Sequence, residues 1–249
     1  MKQDIVKSKE INKIQKSFKT FPVSNGMKGI FGVGKPKGPS SYDVIREIKK
    51  HTTEKRIGHA GTLDPRASGV LVIAVGREAT KKIADEVAKE KEYLATIRLG
   101  AESTTDDGEG MKTKVPTAKR PALQAIKNAL NEFEGEIMQV PPVYSALKVR
   151  GKTAYERTRA GETVQLASRK VLVKEIEFIS FRWPSLKICV TTGPGVYIRS
   201  LARDIGRKLK TGGYLSALER TRVGGFTKKD ALKLTIRYNT PTHQPTHHA

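Results

Sequence analysis

Apolar and polar residues alternate along the chain in a way that predicts strands and helices in turn. The continuous apolar run GVLVIAVG, residues 69–76, is typical of a buried strand. The alternating run EYLATIRLG, residues 92–100, predicts a strand with one buried face. Further strands are predicted in GIFGVGK, VLVKEIEFISF and SLKICVTTG, and helices in SYDVIREIKKHT, residues 80–88, PALQAIKNALNEFEG and YIRSLARDIGRKL. Strands followed by single helices indicate an α+β fold with one continuous sheet.

The two ends of the chain differ from its middle. Residues 1–28 contain seven lysines and two acids, and Ile11, Ile14, Phe18 and Phe21 would share one helical face. This segment is therefore either a helix that docks on the protein surface or a basic arm that touches RNA. Residues 236–249 are expected to be a disordered tail, which leaves residues 29–235 as the folded domain.

The charge of the chain favours a polyanionic partner. Its 249 residues include 47 Lys and Arg against 25 Asp and Glu, a net charge of +22. Such an excess is expected of a nucleic-acid binder, although a solvated lysine face would also produce it. The single cysteine suits a reducing compartment, and neither a membrane-spanning run nor a secretory signal is present. A cytoplasmic protein that does not contact membranes is expected.

Several familiar sites are excluded by single residues. GIFGVGKP begins like a phosphate-binding loop, but Pro36 stands where Ser or Thr is needed, and Lys37 replaces the third glycine of a dinucleotide fingerprint. The five histidines do not have the spacing of metal ligands, so no metal is expected. Asp106 and Asp107, in the acidic stretch AESTTDDGEG, are expected to be surface charges on an exposed turn.

One acid lies in a glycine-framed loop beside the buried strand, in KRIGHAGTLDPRASGVLVIAVG, residues 55–76. Asp64 precedes Pro65, which restricts its backbone and stiffens the turn. A carboxylate held beside a buried strand needs a cation to remain ionised, and Arg199 is the candidate. Spacing alone favours the other interpretation, in which Asp64 caps a turn and Arg199 pairs at the surface, because aspartates are common in turns.

This loop resembles the active-site signature G-H-x-G-x-L-D-P-x-A-x-G of the TruB family of tRNA pseudouridine synthases. GVGKPKGPSSYDV, KEYLATIRLG, VPPVYSALKVRGKTAYERTRAGETV, GVYIRSLARDIG and YLSALERTRVGGF resemble further motifs of the family, in the same order. The resemblance covers residues from about 29 to 232. It implies the pseudouridine synthase catalytic fold, a mixed and mostly antiparallel sheet flanked by helices, with an RNA-gripping insertion at about residues 138–168.

The resemblance also implies an activity and a role for individual residues. The chain would convert uridine 55 in the T-arm of tRNA to pseudouridine by base flipping, without a cofactor, a metal or a required protein partner. Asp64 would be the catalytic nucleophile or base, supported by Arg199 and Lys35. The implied substrate-binding residues are His59, Tyr93, Tyr197 and Leu218, and the implied contacts to the RNA backbone are Lys148, Arg150, Lys152, Arg157 and Arg159.

Two alternatives stay open. A guide-RNA-dependent pseudouridine synthase is disfavoured by the segment YSALKVRGKTAYERTRAGE and by the short C-terminal part, since the sequence given extends only 17 residues beyond Leu232. The C-terminal region common in the family, often an RNA-binding PUA fold, is therefore expected to be missing or vestigial. A tRNA-folding chaperone without catalysis is disfavoured by the intact Asp64, Tyr93 and Arg199.

Overall fold

The computed structural model describes residues 27–117 and 119–234, which fall into two compact units. The first unit comprises the described residues up to Val87 and those from Gly225 onward, and the second is Ala88–Gly224. All but the last two residues of the predicted segment 1–28, and the whole of the predicted tail 236–249, lie outside the described residues. The domain limits deduced from the sequence stay predictions.

The first unit contains a small mixed set of strands. Strands β1 (Gly29–Lys35) and β2 (Ile57–Ala60) both pair antiparallel with β3 (Ser68–Val75), and β14 (Leu232–Lys233) runs parallel to β1. The unit also contains β13 (Phe226–Thr227) and the helices α1 (Ser41–Lys49), α2 (Arg77–Lys81) and α3 (Ile83–Ala88). Strand β3 is the predicted apolar run, and its residues from Gly69 to Val75 are all buried.

Helix α1 begins at Ser41, the first residue of the predicted segment SYDVIREIKKHT. Ser40 is its N-cap and forms a capping box with Asp43, each side chain bonding the backbone N–H of the other residue. The buried residues Val44, Ile45 and Ile48 form the apolar face of this helix. The single helix predicted over residues 80–88 is instead two short helices, α2 and α3, because the backbone leaves the helical region at Lys82.

The second unit is built on antiparallel strands. Its main strands neighbour one another in the order β12 (Gly213–Val223), β4 (Lys91–Leu99), β11 (Ser185–Thr192), β10 (Arg169–Arg182) and β7 (Gly135–Gln139). Helices α4 (Leu123–Asn131) and α6 (Ile198–Lys208) contribute buried apolar residues to the core of these strands. Two hairpins, β5 (Ala101–Ser103) with β6 (Lys112–Lys114) and β8 (Lys148–Val149) with β9 (Lys152–Thr153), complete the unit with helix α5 (Ala154–Arg159).

The predicted α+β class is confirmed, and the strands are mixed and mostly antiparallel as predicted. The helix predicted over residues 121–135 is shorter, because Gly135 already begins strand β7. Strand β12 was not predicted, since it carries polar residues at several buried or half-buried positions. Within residues 27–117 and 119–234, no helix is long and apolar enough to cross a membrane.

Candidate active site

Asp64 lies in the hairpin loop that connects β2 to β3. These two strands pair antiparallel from Ile57 opposite Val75 to Ala60 opposite Val72. The loop turns at Asp64 itself, whose carbonyl accepts a 3.0 Å hydrogen bond from the N–H of Ala67. Leu63 and Ala67 are each 2% exposed, while the Asp64 side chain is only half-buried. Apolar anchors on both sides therefore fix the loop and leave its acid partly accessible.

Lys35, at the end of β1, ties this loop to the strand. Its side chain is 2% exposed, and its Nζ donates to the carbonyl oxygens of Ala67 at 2.7 Å, Pro36 at 3.0 Å and Pro65 at 3.4 Å. Burial of an ammonium group is costly unless hydrogen bonds replace its water. These carbonyls provide such bonds, so Lys35 holds the loop backbone, while its predicted supporting role in catalysis stays a prediction.

Gly38, between β1 and α1, and Ser41, the first residue of α1, provide three more bonds to the same loop. The Ser41 hydroxyl donates to the carbonyl of Leu63 at 3.0 Å and accepts from the N–H of Leu63 at 2.9 Å. The N–H of Gly38 donates to the carbonyl of Pro65 at 2.8 Å. The backbone is thus bonded immediately before and immediately after Asp64, which limits the positions its carboxylate can take.

His59 is the other predicted site residue of this unit besides Asp64 and Lys35. It lies on β2 opposite Ile73 and is half-buried. The hairpin therefore carries His59 on its first strand and Asp64 in its loop.

Tyr93 lies in β4 at the centre of the second unit. It is 6% exposed, with Val190 of β11 opposite it on one side and Arg220 of β12 on the other. Arg220 is 1% exposed and shares a side-chain hydrogen bond with Tyr93. Burial lowers the pKa of the Arg220 guanidinium from its ordinary value, although the Tyr93 contact opposes that shift. Arg220 was not predicted from the sequence; its position two residues after Leu218 in the motif YLSALERTRVGGF was the available signal.

Arg199 projects from the first turn of α6, which begins after its N-cap, Tyr197. It is 7% exposed, and its Nη2 donates to the carbonyl of Tyr144 at 2.8 Å. Its Nη1 lies 3.5 Å from both the Thr105 carbonyl oxygen and Asp107 Oδ2. The guanidinium therefore has fixed partners from two separate loops, which define its orientation.

The prediction that Asp106 and Asp107 are exposed surface charges is wrong. Both side chains are only 13% exposed: Asp107 faces Arg199, and Asp106 forms a 2.7 Å ion pair with Arg203. The backbone of the turn also packs on β12, since the N–H of Leu215 donates to the Asp106 carbonyl at 3.0 Å. Burial raises the pKa of Asp106 despite its arginine neighbours.

The remaining predicted substrate-binding residues of this unit are Leu218 and Tyr197. Leu218, on β12 opposite Ala95, packs against the apolar core. Tyr197 is half-buried at the start of α6, with the Arg169 guanidinium 5.0 Å from its ring centroid. Asp64 belongs to the first unit and Arg199 to the second, and their predicted ion pair stays a prediction.

The predicted RNA-binding residues are not equivalent to one another. Lys148, Arg150 and Lys152 are exposed on the β8–β9 hairpin, and Arg159 is exposed at the end of α5. Arg157 is half-buried: its Nε donates to the Val149 carbonyl at 2.9 Å, its Nη2 to the Arg150 carbonyl at 3.3 Å, and its Nη1 pairs with Glu162 at 2.5 Å. Its donors are thus directed into the protein.

No group of three or more His, Cys, Asp and Glu side chains could hold a metal ion in residues 27–117 and 119–234.

Two family models match adjoining parts of the chain. The model described as TruB family pseudouridylate synthase, N-terminal domain, matches residues 49–198, and the tRNA pseudouridylate synthase B C-terminal domain matches residues 199–236. Among curated proteins named tRNA pseudouridine synthase B, that of Thermobifida fusca is 45% identical over 214 residues, covering 83% of this chain and 73% of the relative. That of Trichormus variabilis is 41% identical over 212 residues, covering 84% and 72%.

Solved structures with a similar fold include two that contain the protein Cbf5. A Cbf5–Nop10–Gar1 complex matches with a TM-score of 0.63 and 30% identity, covering 88% of this chain and 59% of that one. An archaeal box H/ACA Nop10–Cbf5 complex matches with a TM-score of 0.62 and 26% identity, covering 88% and 58%. This chain thus spans less than two thirds of those structures' chains. Together with the family models and the curated relatives, the motif-bearing loop and strands show that the chain belongs to the TruB family of pseudouridylate synthases.

Proposed function

We propose that this protein converts uridine 55 in the T-arm of tRNA to pseudouridine, with Asp64 as the catalytic residue. The observation that carries the proposal is the rigid hairpin loop of a TruB-family chain, in which Lys35 and Ser41 bond the backbone on both sides of that acid. The relatives named tRNA pseudouridine synthase B, 41–45% identical to this chain, support tRNA as the substrate.

The reaction needs one carboxylate and no added reactant. The N1–C1′ bond of the uridine breaks, the uracil turns over, and a C5–C1′ bond forms, while the C5 proton is released and a proton is taken up at N1. Asp64 can act as a nucleophile at C1′ or as a base towards the C2′ proton. Either role requires an ionised carboxylate, and we assign Arg199 to keep it so. A loop whose backbone is already fixed would present that carboxylate without further ordering.

The target uridine must leave the stacked T-arm before it can react, at a cost of a few kcal/mol. We assign Tyr93 as the ring on which the flipped uracil stacks, which returns about 1–3 kcal/mol. Its hydrogen bond to the buried Arg220 holds the ring in one orientation and supports this assignment. His59 would occupy the space that the base leaves, and Tyr197 and Leu218 would close over the uracil.

The exposed basic residues of the second unit would contact the RNA backbone. We assign phosphate contacts to Lys148, Arg150, Lys152 and Arg159, since these cations are exposed. Arg157 instead would stabilise the segment that presents them, because its guanidinium is bonded to Val149, Arg150 and Glu162. We further infer that no protein partner is required, because a tRNA substrate can be bound by this chain's own cations. The relatives named tRNA pseudouridine synthase B support action where tRNA is modified, and we propose the cytoplasm.

The direct test is to incubate the purified chain with an unmodified tRNA transcript and to map pseudouridine by sequence position. Product at uridine 55, absent from a transcript with cytidine at that position, is expected without any guide RNA. Product that appears only with a guide RNA would favour the guide-dependent alternative, and tRNA refolding without product would favour the chaperone.

The role of Asp64 is tested with Asp64→Asn and with the control Asp85→Asn, an exposed acid on α3. We expect the first variant to bind tRNA and form no pseudouridine, and the control to act like the unchanged protein. Product formation by Asp64→Asn would contradict the assignment.

A further inference from the structure

Gln139 is a completely buried polar residue to which the chemistry above gives no role. It is the last residue of β7 and is 0% exposed. Both polar atoms of its side-chain amide bond the same residue, Tyr197: Oε1 accepts from the Tyr197 N–H at 2.8 Å, and Nε2 donates to the Tyr197 carbonyl at 3.2 Å. Tyr197 is 58 positions away in the chain, so this contact joins two distant segments.

Only an amide of this length can bond the N–H and the carbonyl of Tyr197 at the same time. A carboxylate could accept from the N–H but could not donate to the carbonyl, and an apolar side chain could do neither. The Tyr197 carbonyl also accepts from the Leu201 N–H at 3.1 Å, so loss of the Gln139 amide would deprive chiefly the Tyr197 N–H of its partner. The complementary pair of bonds therefore fixes the backbone of Tyr197 at the point where α6 begins.

The ring of Tyr197 is fixed by the residue opposite Gln139. In the antiparallel pairing of β7 with β10, Arg169 stands directly across from Gln139. The Arg169 guanidinium lies 5.0 Å from the Tyr197 ring centroid, and its Nη2 donates to the Gly195 carbonyl at 2.5 Å. This second bond prevents the guanidinium from drifting away from the ring.

We infer that Gln139 and Arg169 form a clamp that positions Tyr197, with Gln139 holding its backbone and Arg169 its ring. Both act through Tyr197 and are positioning residues. The inference rests on the proposed function for its effect on catalysis, since Tyr197 is there assigned to close over the uracil. Neighbouring bonds extend the clamp: the carbonyl of Val140 accepts from Ser200 Oγ at 2.8 Å and from Arg203 Nη2 at 2.9 Å.

The clamp can be tested without any activity measurement. The protein has seven tyrosines, so labelling with 3-fluorotyrosine gives a simple fluorine NMR spectrum in which Tyr197→Phe identifies the Tyr197 signal. Gln139→Met, which keeps length and volume but loses both bonds, is expected to shift and broaden that signal in the free protein. Arg169→Met, at a half-buried position, is expected to shift it as well. An unchanged Tyr197 signal in both variants would overturn the inference.

The catalytic consequence is measured separately, by single-turnover pseudouridine formation at saturating tRNA. Gln139→Met is expected to slow this step about tenfold per folded molecule while the Kd for tRNA changes less than about twofold. Because Gln139 acts through Tyr197, adding Gln139→Met to Tyr197→Ala should cost little more, whereas independent losses would multiply and contradict the mechanism.

The matched control is Gln124→Met, which removes an exposed amide of α4 bonded to Asn128. It should change neither the Tyr197 signal nor the rate. If the unchanged protein formed no pseudouridine, the proposed function would fail, while the fluorine signal would still decide whether the clamp exists.

Discussion

The ammonium group of Lys35 donates a 2.7 Å hydrogen bond to the carbonyl oxygen of Ala67, three residues after Asp64. This contact joins the end of β1 to the loop that carries the proposed catalytic acid. The Lys35 side chain is 2% exposed and donates to further carbonyl groups of the backbone, so it holds the loop in place. The loop's geometry therefore depends on a side chain that need not touch the substrate.

Replacement of Lys35 should impair catalysis through the loop. Lys35→Met keeps much of the volume but leaves the Ala67 and Pro65 carbonyls without this donor, at a cost of about 1–3 kcal/mol in the free energy of unfolding. We expect the single-turnover rate to fall at least about tenfold and the tRNA affinity to change little. The control is Lys37→Met, an exposed lysine two residues on, whose rate and melting temperature should match the unchanged protein. A fully active Lys35→Met protein would show that the hydrogen bonds of Lys35 to the loop are dispensable.

The contact between Asp107 and Arg199 leads to a second prediction. Asp107 Oδ1 accepts from the Thr105 hydroxyl at 2.6 Å and the Glu109 N–H at 2.8 Å, while Oδ2 faces Arg199 at 3.5 Å. Asp107→Asn can keep the first two bonds, but it turns an amide donor towards the guanidinium. We expect a fall of about tenfold in the pseudouridine formation rate, because Arg199 loses its charge partner.

Thermal unfolding separates this effect from a general loss of structure. A cost of about 1 kcal/mol would lower the Tm of a protein of this size by about 2–4 °C. Asp85→Asn, with the same change of charge on an exposed helix, should affect neither quantity. A wild-type rate in Asp107→Asn would mean that the carbonyls of Thr105 and Tyr144 suffice to orient Arg199.

Local patterns in the sequence correctly predicted the elements that depend on residues close together in the chain. The apolar run 69–76 became β3, the segment SYDVIREIKKHT became helix α1, and Asp64 lies in the loop beside the buried strand. What the sequence could not reveal are partners far along the chain. Asp107 looks exposed in its acidic run because Arg199 is 92 positions away.

The predicted RNA-gripping insertion, at about residues 138–168, contains cations that the sequence alone does not distinguish. Arg157 and Arg159 look alike in the sequence, since both stand in a run of cations. Only Arg157 is turned inward, because Val149 and Arg150 place their carbonyls within reach of its guanidinium. The direction of a side chain depends on the fold of the β8–β9 hairpin, which charge counting does not encode.

The buried Lys91 makes the free energy of unfolding depend on pH in the alkaline range. It is 7% exposed on β4, and burial lowers its pKa to about 8, with the nearby charge of Arg220 adding to the shift. Between pH 8 and the ordinary lysine value of 10.5, the unfolded chain holds a proton that the folded protein has released. This group therefore makes folding more favourable as pH rises, by at most about 1.4 kcal/mol per pH unit.

The measurement is urea unfolding at several pH values from 7 to 10.5. Lys91→Met should remove this pH-dependent contribution. The free energy of unfolding of the variant, relative to that of the unchanged protein, should therefore fall as the pH rises. Lys187→Met, at an exposed position of β11, should run parallel to the unchanged protein. A Lys91→Met curve parallel to the unchanged protein would show that Lys91 titrates normally.

The last prediction separates cations that bind RNA from the one that supports their segment. Lys148 and Lys152 are exposed on the two strands of the β8–β9 hairpin, and each is proposed to contact one phosphate. Lys148→Ala and Lys152→Ala should each lower the slope of log K against log salt concentration by about one, and the double variant by about two, without a change in Tm. Arg157→Ala should instead lower the Tm, because its bonds to Val149, Arg150 and Glu162 are lost.

Lys187→Ala serves as the control for a change of net charge far along the chain from this hairpin. An equal fall in slope for Lys187→Ala would mean that the effect reflects overall charge and not contact at the hairpin.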